Sequence, residues 1–414
     1  MERIKKLYLA DKAGFIQLAG LLLLAISLPF SVTFVQGGLF LAIGGGMWRF
    51  KREGLIKNLP SAATDNPFFR PWMIYLAAAV LSALAGLYPL KSLAAFNSDF
   101  LRYLAFTSLC LFLTKENEEK VLPVYLFAVA AAAIIGITQS ARGLINGLDI
   151  RAHAFAHPVR FGEIMVVGLT CALSLFFSGQ ALTKRIGFLA FSCALLSLAA
   201  LILSQTRGAY LGLAAAISVM FAFSGKARKQ LLIFLVIAGA MGAAFSLLNP
   251  TLRYKVSSIG KGLSSAVNTN QKAPDSSIYT RLELWKIGLR IIKDRPFFGV
   301  GASNVKRVFH DYHPGPLAGQ DSWGSLHNLY IHQAAERGLV GLGALLLLFG
   351  AMFWTAYKNF ASDGGPMALW ALAVLPAYFV MNLTEITFQH VHTSYAIFLA
   401  IAVSMNSAKK KDCI

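Results

Sequence analysis

The sequence predicts an all-α, polytopic membrane protein: about twelve transmembrane helices with one large outer loop late in the chain. Three observations predict it. The 414 residues are 56% hydrophobic and only 14% charged, with a mean hydropathy of +0.59, which does not describe a water-soluble surface. The apolar residues are gathered into blocks of roughly 13 to 19, long enough with their flanks to cross a hydrocarbon core of about 30 Å at about 1.5 Å per residue. Lys and Arg lie in short clusters between these blocks, as cytoplasmic membrane loops do. The net charge of +19 therefore points to membrane topology and lipid, and nucleic acid is not expected as a partner.

The first block runs roughly from Phe15 to Phe30 and follows Arg3, Lys5, Lys6 and Lys12. It imitates a signal peptide, but a second block, Val32 to Met47, follows at once, so an uncleaved first span is expected. The next blocks run roughly from Trp72 to Leu87, Leu101 to Leu113, Val121 to Thr138, Phe161 to Phe177, Ile186 to Ser204, Ala209 to Phe223 and Leu231 to Leu248. After a long loop come three more, from Leu339 to Tyr357, Met367 to Leu383 and Thr393 to Met405. This divides the chain into helices over 1–248, an outer loop over 249–337, and the last three helices with a tail over 338–414. An even count puts both termini on one side. The clusters at Arg49 to Lys57, Lys115 and Lys120, Lys184 and Arg185, Lys226 to Lys229, and Lys409 to Lys411 make that side cytoplasmic.

The long loop is of two kinds. Its first part, SSIGKGLSSAVNTNQKAPDSS, has the composition of a linker. From Tyr279 to Arg295 the spacing of Leu282, Trp285, Leu289 and Ile292 predicts an amphipathic helix, with Thr280 as N-cap and Pro296 as its stop. In the FFGVG that follows, Gly299 and Gly301 permit tight backbone paths, and Phe297 and Phe298 suit a membrane interface.

The outer connections carry few cations, so those present are candidates for function. Arg207 lies in a connection of only a few residues. Arg151 and Arg160 frame RAHAFAHPVR, and Arg281 begins the amphipathic helix. Interfacial snorkelling is the ordinary role of such residues. If they converge, a polyanion is the natural ligand, because guanidinium binds phosphate oxygens in a planar two-point geometry and stays charged. A diphosphate on a lipid carrier fits both the charge and the location.

His327 precedes the tenth block. An imidazole with a pKa near 6.5 can accept a proton near neutrality, although a lone histidine is more often a capping or interfacial residue. His332 is five residues on, hence on another helix face, and no HExxH spacing occurs. His310, His313, His390 and His392 show no metal spacing, so neither a metal nor a cofactor is expected. Glu385 offers itself as a partner for His327, or as an exposed loop acid. Cys110, Cys171 and Cys193 lie within apolar blocks and Cys413 in the tail, which argues against a disulfide framework. A Walker loop, a nucleotide-sugar acid pair and a nucleophile elbow are all missing from the sequence.

The residues His327 and Asn328, then nine residues, then GLVG with Gly338 and Gly341, resemble the His-Asn, spacer, Gly-x-x-Gly signature of bacterial O-antigen ligases. TRGAYLGL and RLELWKIGLRIIKDRPFFGVG resemble further stretches of the wider family, which includes O-antigen polymerases and O-linked oligosaccharyltransferases. The resemblance implies a GT-C-like, metal-independent, inverting glycosyltransferase of the bacterial inner membrane with a periplasmic active site. Its donor would be a polysaccharide on undecaprenyl diphosphate and its acceptor a sugar hydroxyl of the lipid A core oligosaccharide. By the same resemblance His327 is the base, Arg207 and Arg281 bind the diphosphate, and Arg151 and Arg160 assist. Polymerase and protein oligosaccharyltransferase are the alternatives. A polysaccharide or lipid exporter, the rival from another class, would need charges along a midplane pathway, where Arg102 is the chief ionisable residue.

Overall fold

The computed structural model describes residues 11–177, 183–223, 228–248 and 276–408. The linker-like sequence before Ser276, the basic residues before Asp11 and the tail lysines lie outside these residues. Among the described residues every regular element is a helix. In order, α1 is Lys12–Ser27, α2 Val32–Arg52, α3 Leu59–Thr64, α4 Phe69–Ala85, α5 Pro89–Phe112, α6 Lys115–Ile145, α7 Pro158–Phe177 and α8 Lys184–Ser204. Then come α9 Arg207–Phe223, α10 Arg228–Leu248, α11 Ser276–Asp294, α12 Val305–Tyr312, α13 Leu329–Asp363, α14 Pro366–Met381 and α15 Val391–Ala408.

Each apolar block falls on one of these helices, but the expected count of spans exceeds what helix length and apolarity support. Four helices, α6, α7, α8 and α13, are long and apolar enough to cross a membrane; a fifth span results if Leu55–Thr64 and Phe69–Ala85, bent by 73°, act together. Helices α1, α9, α14 and α15 are apolar but shorter. At about 1.5 Å per residue, helices of this length fall short of a core of about 30 Å without their flanking turns.

Burial divides the helices by place. Helix α14, and α7 beyond Glu163, are almost wholly apolar and buried on nearly every side, which makes them the centre of the bundle. Helices α8 and α13 each leave an apolar flank bare, including Phe188, Phe191, Leu346 and Trp354, as lipid-facing helices do. Helices α1 and α2 form a hairpin closed by small residues: a side chain on Gly20 would strike the α2 backbone at Gly38 and Ala42, and one on Gly38 would strike α1 at Leu24. Such seams allow backbone contact where lipid supplies no hydrophobic drive.

Helix α13 is two segments. At Gly338 the backbone leaves the helix (φ 66°, ψ −176°), which frees backbone groups on both sides. The turn after α11 satisfies them. The amides of Leu339 and Val340 donate to the carbonyls of Pro296 and Phe297 at 2.7 and 3.3 Å, while Val300 and Gly301 donate to Ala335 and Glu336 at 3.0 and 2.8 Å. A Cβ at Gly338 would collide with the Phe297 carbonyl. We therefore expect Gly338→Ala to cost about 1–3 kcal/mol or more through a strained φ and a lost fit. Gly343→Ala, in open space on the same helix, should be neutral. Thermal unfolding in detergent checks the pair.

Helix α11 begins at Ser276, so Thr280 lies inside it and is buried instead of capping it. Its buried stripe is Thr280, Leu284, Ile287 and Ile291, while Leu289 is 58% exposed. The expected face of Leu282, Trp285, Leu289 and Ile292 is therefore not the one packed in the interior. The helix has apolar residues on two sides; Leu284, Ile287 and Ile291 join Val300, Val308, Phe309 and Leu326 in a small core of their own.

Candidate active site

The connections at one end of the bundle meet each other. Leu329 donates its amide to the carbonyls of Asn382 and Glu385, Ala152 to Leu203, and Leu87 to Val300. The loop from Asn382 to His390 is held from below by Phe388, whose buried ring packs against Trp72, Tyr75 and Phe349. Asn382 accepts the Phe388 amide at 2.9 Å, which closes the loop on itself.

His327 stands one residue outside α13. Asn328 caps the helix, its side-chain oxygen accepting the amides of Tyr330 and Ile331 at 3.0 and 3.1 Å. His327 itself has a left-handed backbone, φ 47°, and its amide donates to Ser325 Oγ at 3.1 Å. Ala154 and Gln205, in two other loops of this end, share that uncommon conformation, and such positions gather at functional sites. The Trp323 ring meets the imidazole edge-on, with centroids 5.6 Å apart.

Glu385 joins His327 to Arg281. Its Oε2 is 2.9 Å from His327 Nδ1, and its Oε1 accepts from Arg281 Nη2 at 2.9 Å. Arg281 Nη1 also donates to Ser277 Oγ at 3.0 Å. Burial alone would raise the Glu385 pKa, but hydrogen bonds and charge from His327, then Arg281, outweigh it and hold the carboxyl below the usual glutamate range. An ionised Glu385 accepts the Nδ1 proton and so fixes the orientation of the ring, leaving Nε2 free of that bond. The side chain of His327 is 27% exposed and that of Glu385 9%, so the imidazole is reachable and its partner is not.

The sign of the Glu385 shift sets a pH dependence. A folded-state pKa below the unfolded value of about 4.3 gives stability that is present above that pH and lost as pH falls through the folded value. Thermal stability should therefore fall off in acid below about pH 4.3, and Glu385→Gln should flatten that limb. An unchanged limb in the variant would remove Glu385 from the account.

Arg151 donates Nε to the Ser204 carbonyl at 2.8 Å and Nη2 to Thr206 Oγ1 at 3.2 Å. It lies within the electrostatic reach of both Arg281 and Glu385. Arg207 opens α9, whose next residue, Gly208, abuts the side chain of Thr384 beside Glu385. Tyr210 feels the charges of Arg151 and Arg207 together. Arg160 is exposed on the first turn of α7 and shares the neighbourhood of His157 with Arg151 and Glu385. Arg151 and Arg281 are thus in one neighbourhood with His327, Arg207 borders it through its backbone, and Arg160 marks the rim.

Other residues do not join this corner. His332 is buried and faces Glu336 at 3.5 Å. A second carboxylate–imidazole pair that the sequence did not disclose joins His390 Nδ1 to Glu163 at 2.9 Å, with Thr387 and Thr393 donating to the same carboxylate. Its members are 227 residues apart. Only Glu163, a carboxylate in the second turn of α7 just before a long apolar run, hinted at it. Among the described residues no group of three His, Cys, Asp or Glu is placed to hold a metal ion.

These features define a multi-pass helical membrane protein with a histidine–carboxylate couple among guanidiniums at one end of its bundle. Comparison with known proteins carries the assignment further: residues 192–346 match the family model described as O-Antigen ligase, so the resemblance read from HN-x9-GLVG and TRGAYLGL is supported independently. Arg207, Arg281, His327, Asn328, Gly338 and Gly341 fall inside the match; Arg151, Arg160 and Glu385 fall outside it. The chain is 26% identical over 203 residues to the O-antigen ligase of Escherichia coli, covering 47% of this chain and 46% of that one. It is 26% identical over 209 residues to the exopolysaccharide production protein ExoQ of Rhizobium meliloti (48% and 44%). It is 25% identical over 210 residues to an uncharacterized protein of Haemophilus influenzae (49% and 51%). The matched part spans about half the length of these relatives.

Proposed function

We propose that this protein is an O-antigen ligase-type glycosyltransferase of the bacterial inner membrane, with its twelve apolar helices spanning the bilayer and the His327 end facing the periplasm. It transfers a polysaccharide from undecaprenyl diphosphate to a sugar hydroxyl of the lipid A core. The observation that carries this reading is the linkage of His327 through Glu385 to Arg281, which puts a base and a phosphate-binding cation on one carboxylate.

The chemistry follows from that linkage. The acceptor hydroxyl gives its proton to His327 Nε2 while its oxygen attacks the anomeric carbon, and the bond from that carbon to the diphosphate oxygen breaks. Direct displacement inverts the configuration. The leaving undecaprenyl diphosphate gains negative charge, so cations fixed beforehand favour the transition state over the ground state. Arg281 and Arg207 take the phosphates, with Arg151 behind them and Arg160 at the rim. A guanidinium has five N–H donors, so Arg281 can hold Glu385 and phosphate together. These fixed charges do the work that a divalent cation does elsewhere.

A second reading has support of its own. The similarity to ExoQ, a protein named for exopolysaccharide production, is as strong as that to the ligase, so assembly of a glycan without attachment to lipid A, as by a polymerase that extends a lipid-linked glycan, is the second reading. Protein oligosaccharyltransfer rests on the family resemblance alone. The exporter reading is weakened because Arg102 is paired with Asp99 at 2.9 Å inside the bundle. Reconstitution of the purified protein with lipid-linked glycan and rough lipopolysaccharide, in the presence of EDTA, separates these outcomes. We expect glycan on the lipopolysaccharide. Elongated donor would establish the polymerase, and loss of transfer with EDTA would contradict the metal-free mechanism.

A further inference from the structure

A group of buried charges lies below the His327 corner. Asp99, about three turns into α5, is 1% exposed. Its Oδ1 accepts from Arg102 Nη1 at 2.9 Å and from Tyr75 Oη at 3.1 Å, and its Oδ2 accepts from Arg337 Nη2 at 2.5 Å. The two guanidiniums then run to different places. Arg337 is the last residue before the Gly338 kink and also donates to Gln333 Oε1 at 2.8 Å, so it belongs to the short segment that begins just after His327. Arg102 donates Nη2 to the Gln389 carbonyl at 3.4 Å and lies 5.3 Å from the centre of the Phe388 ring, so it grips the loop that carries Glu385.

One carboxylate therefore holds both halves of the His327–Glu385 couple, the helix segment by one oxygen and the loop by the other. Stability alone does not call for such a device, since apolar residues of similar volume often serve as well as a buried ion network. The network even keeps buried donors without partners among the described residues, at Arg102 Nε, Arg337 Nε and Gln333 Nε2, which is costly. What the charges supply is a fixed geometry between two segments distant in sequence.

We propose that Asp99 is a positioning residue that sets the separation of His327 and Glu385, with Arg337 and Arg102 as its two arms. The catalytic consequence rests on the proposed function; the mechanical coupling does not. A misplacement of about 1 Å in such a couple lowers turnover by about 10²-fold.

Hydrogen exchange followed by mass spectrometry on the full-length protein in nanodiscs reads the coupling without reference to activity. Arg337→Gln should speed exchange mainly at 326–337, and Arg102→Gln mainly at 382–390, each by about tenfold or more. Asp99→Asn should speed both, with α8 and α9 unchanged. In the transfer assay Asp99→Asn should lower kcat by about 10²-fold with the KM for donor retained. If Asp99→Asn does not fold, the two arginine variants carry the test. Unchanged exchange at both segments, or faster exchange throughout the bundle in each variant, would overturn the proposal. A wild-type protein that transfers no glycan, beside variants that keep the segment-specific pattern, would overturn the functional reading while leaving the coupling intact.

Discussion

Replacing His327 with alanine lowers glycan transfer by about 10²- to 10⁴-fold, the usual contribution of a positioned general base. The protein stays folded, because the imidazole caps no helix: Asn328 does that, and the left-handed backbone at 327, which suits histidine better than alanine, adds only a local cost. The lipid-linked donor still binds, since the loss falls on the proton transfer and leaves the guanidiniums in place. Single-turnover measurement with donor prebound separates the two effects. Transfer at the wild-type rate by this variant would remove the base from the mechanism.

Glu385→Gln produces the second large loss, about 10²-fold or more in kcat, at nearly unchanged volume. The amide no longer carries the charge that holds Nδ1–H and opposes Arg281. The tautomer is then free to reverse and the base to rotate. Arg281 loses its buried counter-charge and swings towards solvent or donor, so the KM for donor should change less than kcat. Arg281→Ala should show the opposite balance, a larger rise in KM than loss of kcat, because it removes a phosphate ligand first and a partner of Glu385 second. Equal effects of the two substitutions on KM would mean that Glu385 serves the arginine and not the histidine.

The helices were legible in the sequence because lipid-facing and core-facing residues are both apolar, so blocks such as Ile186 to Ser204 stand out whatever their surroundings. That same uniformity hid their depth in the bundle: nothing in the pattern distinguishes buried α7 from bare-flanked α8. The kink was half legible. Gly338 and Gly341 stood out in the motif, but the turn at Gly338 and its partner, the Pro296 to Gly301 segment, are visible only when both backbones are placed. The face of α11 went wrong at Leu289 because an interfacial helix buries one apolar side in protein and leaves another bare, and residue spacing cannot say which.

The corner itself was legible as a list and not as an arrangement. His327 and the four arginines carry recognisable chemistry at unusual places, and motif spacing singled them out. Glu385 lies 58 residues from His327 and 104 from Arg281, so its role depends on how α14 returns to this end of the bundle. The buried carboxylates Asp99 and Glu163 were harder still, each sitting in a helix whose apolar residues mask it.

A double-mutant cycle on transfer rate tests the central claim most directly, namely that His327 and Glu385 act as one unit in glycan transfer. With His327→Ala, Glu385→Gln and the combined variant assayed in the same vesicles, the account predicts that the combined variant is no slower than His327→Ala alone, since a carboxylate that works through the imidazole has nothing left to orient. Losses that multiply would contradict it, and would mean that the two residues serve separate steps.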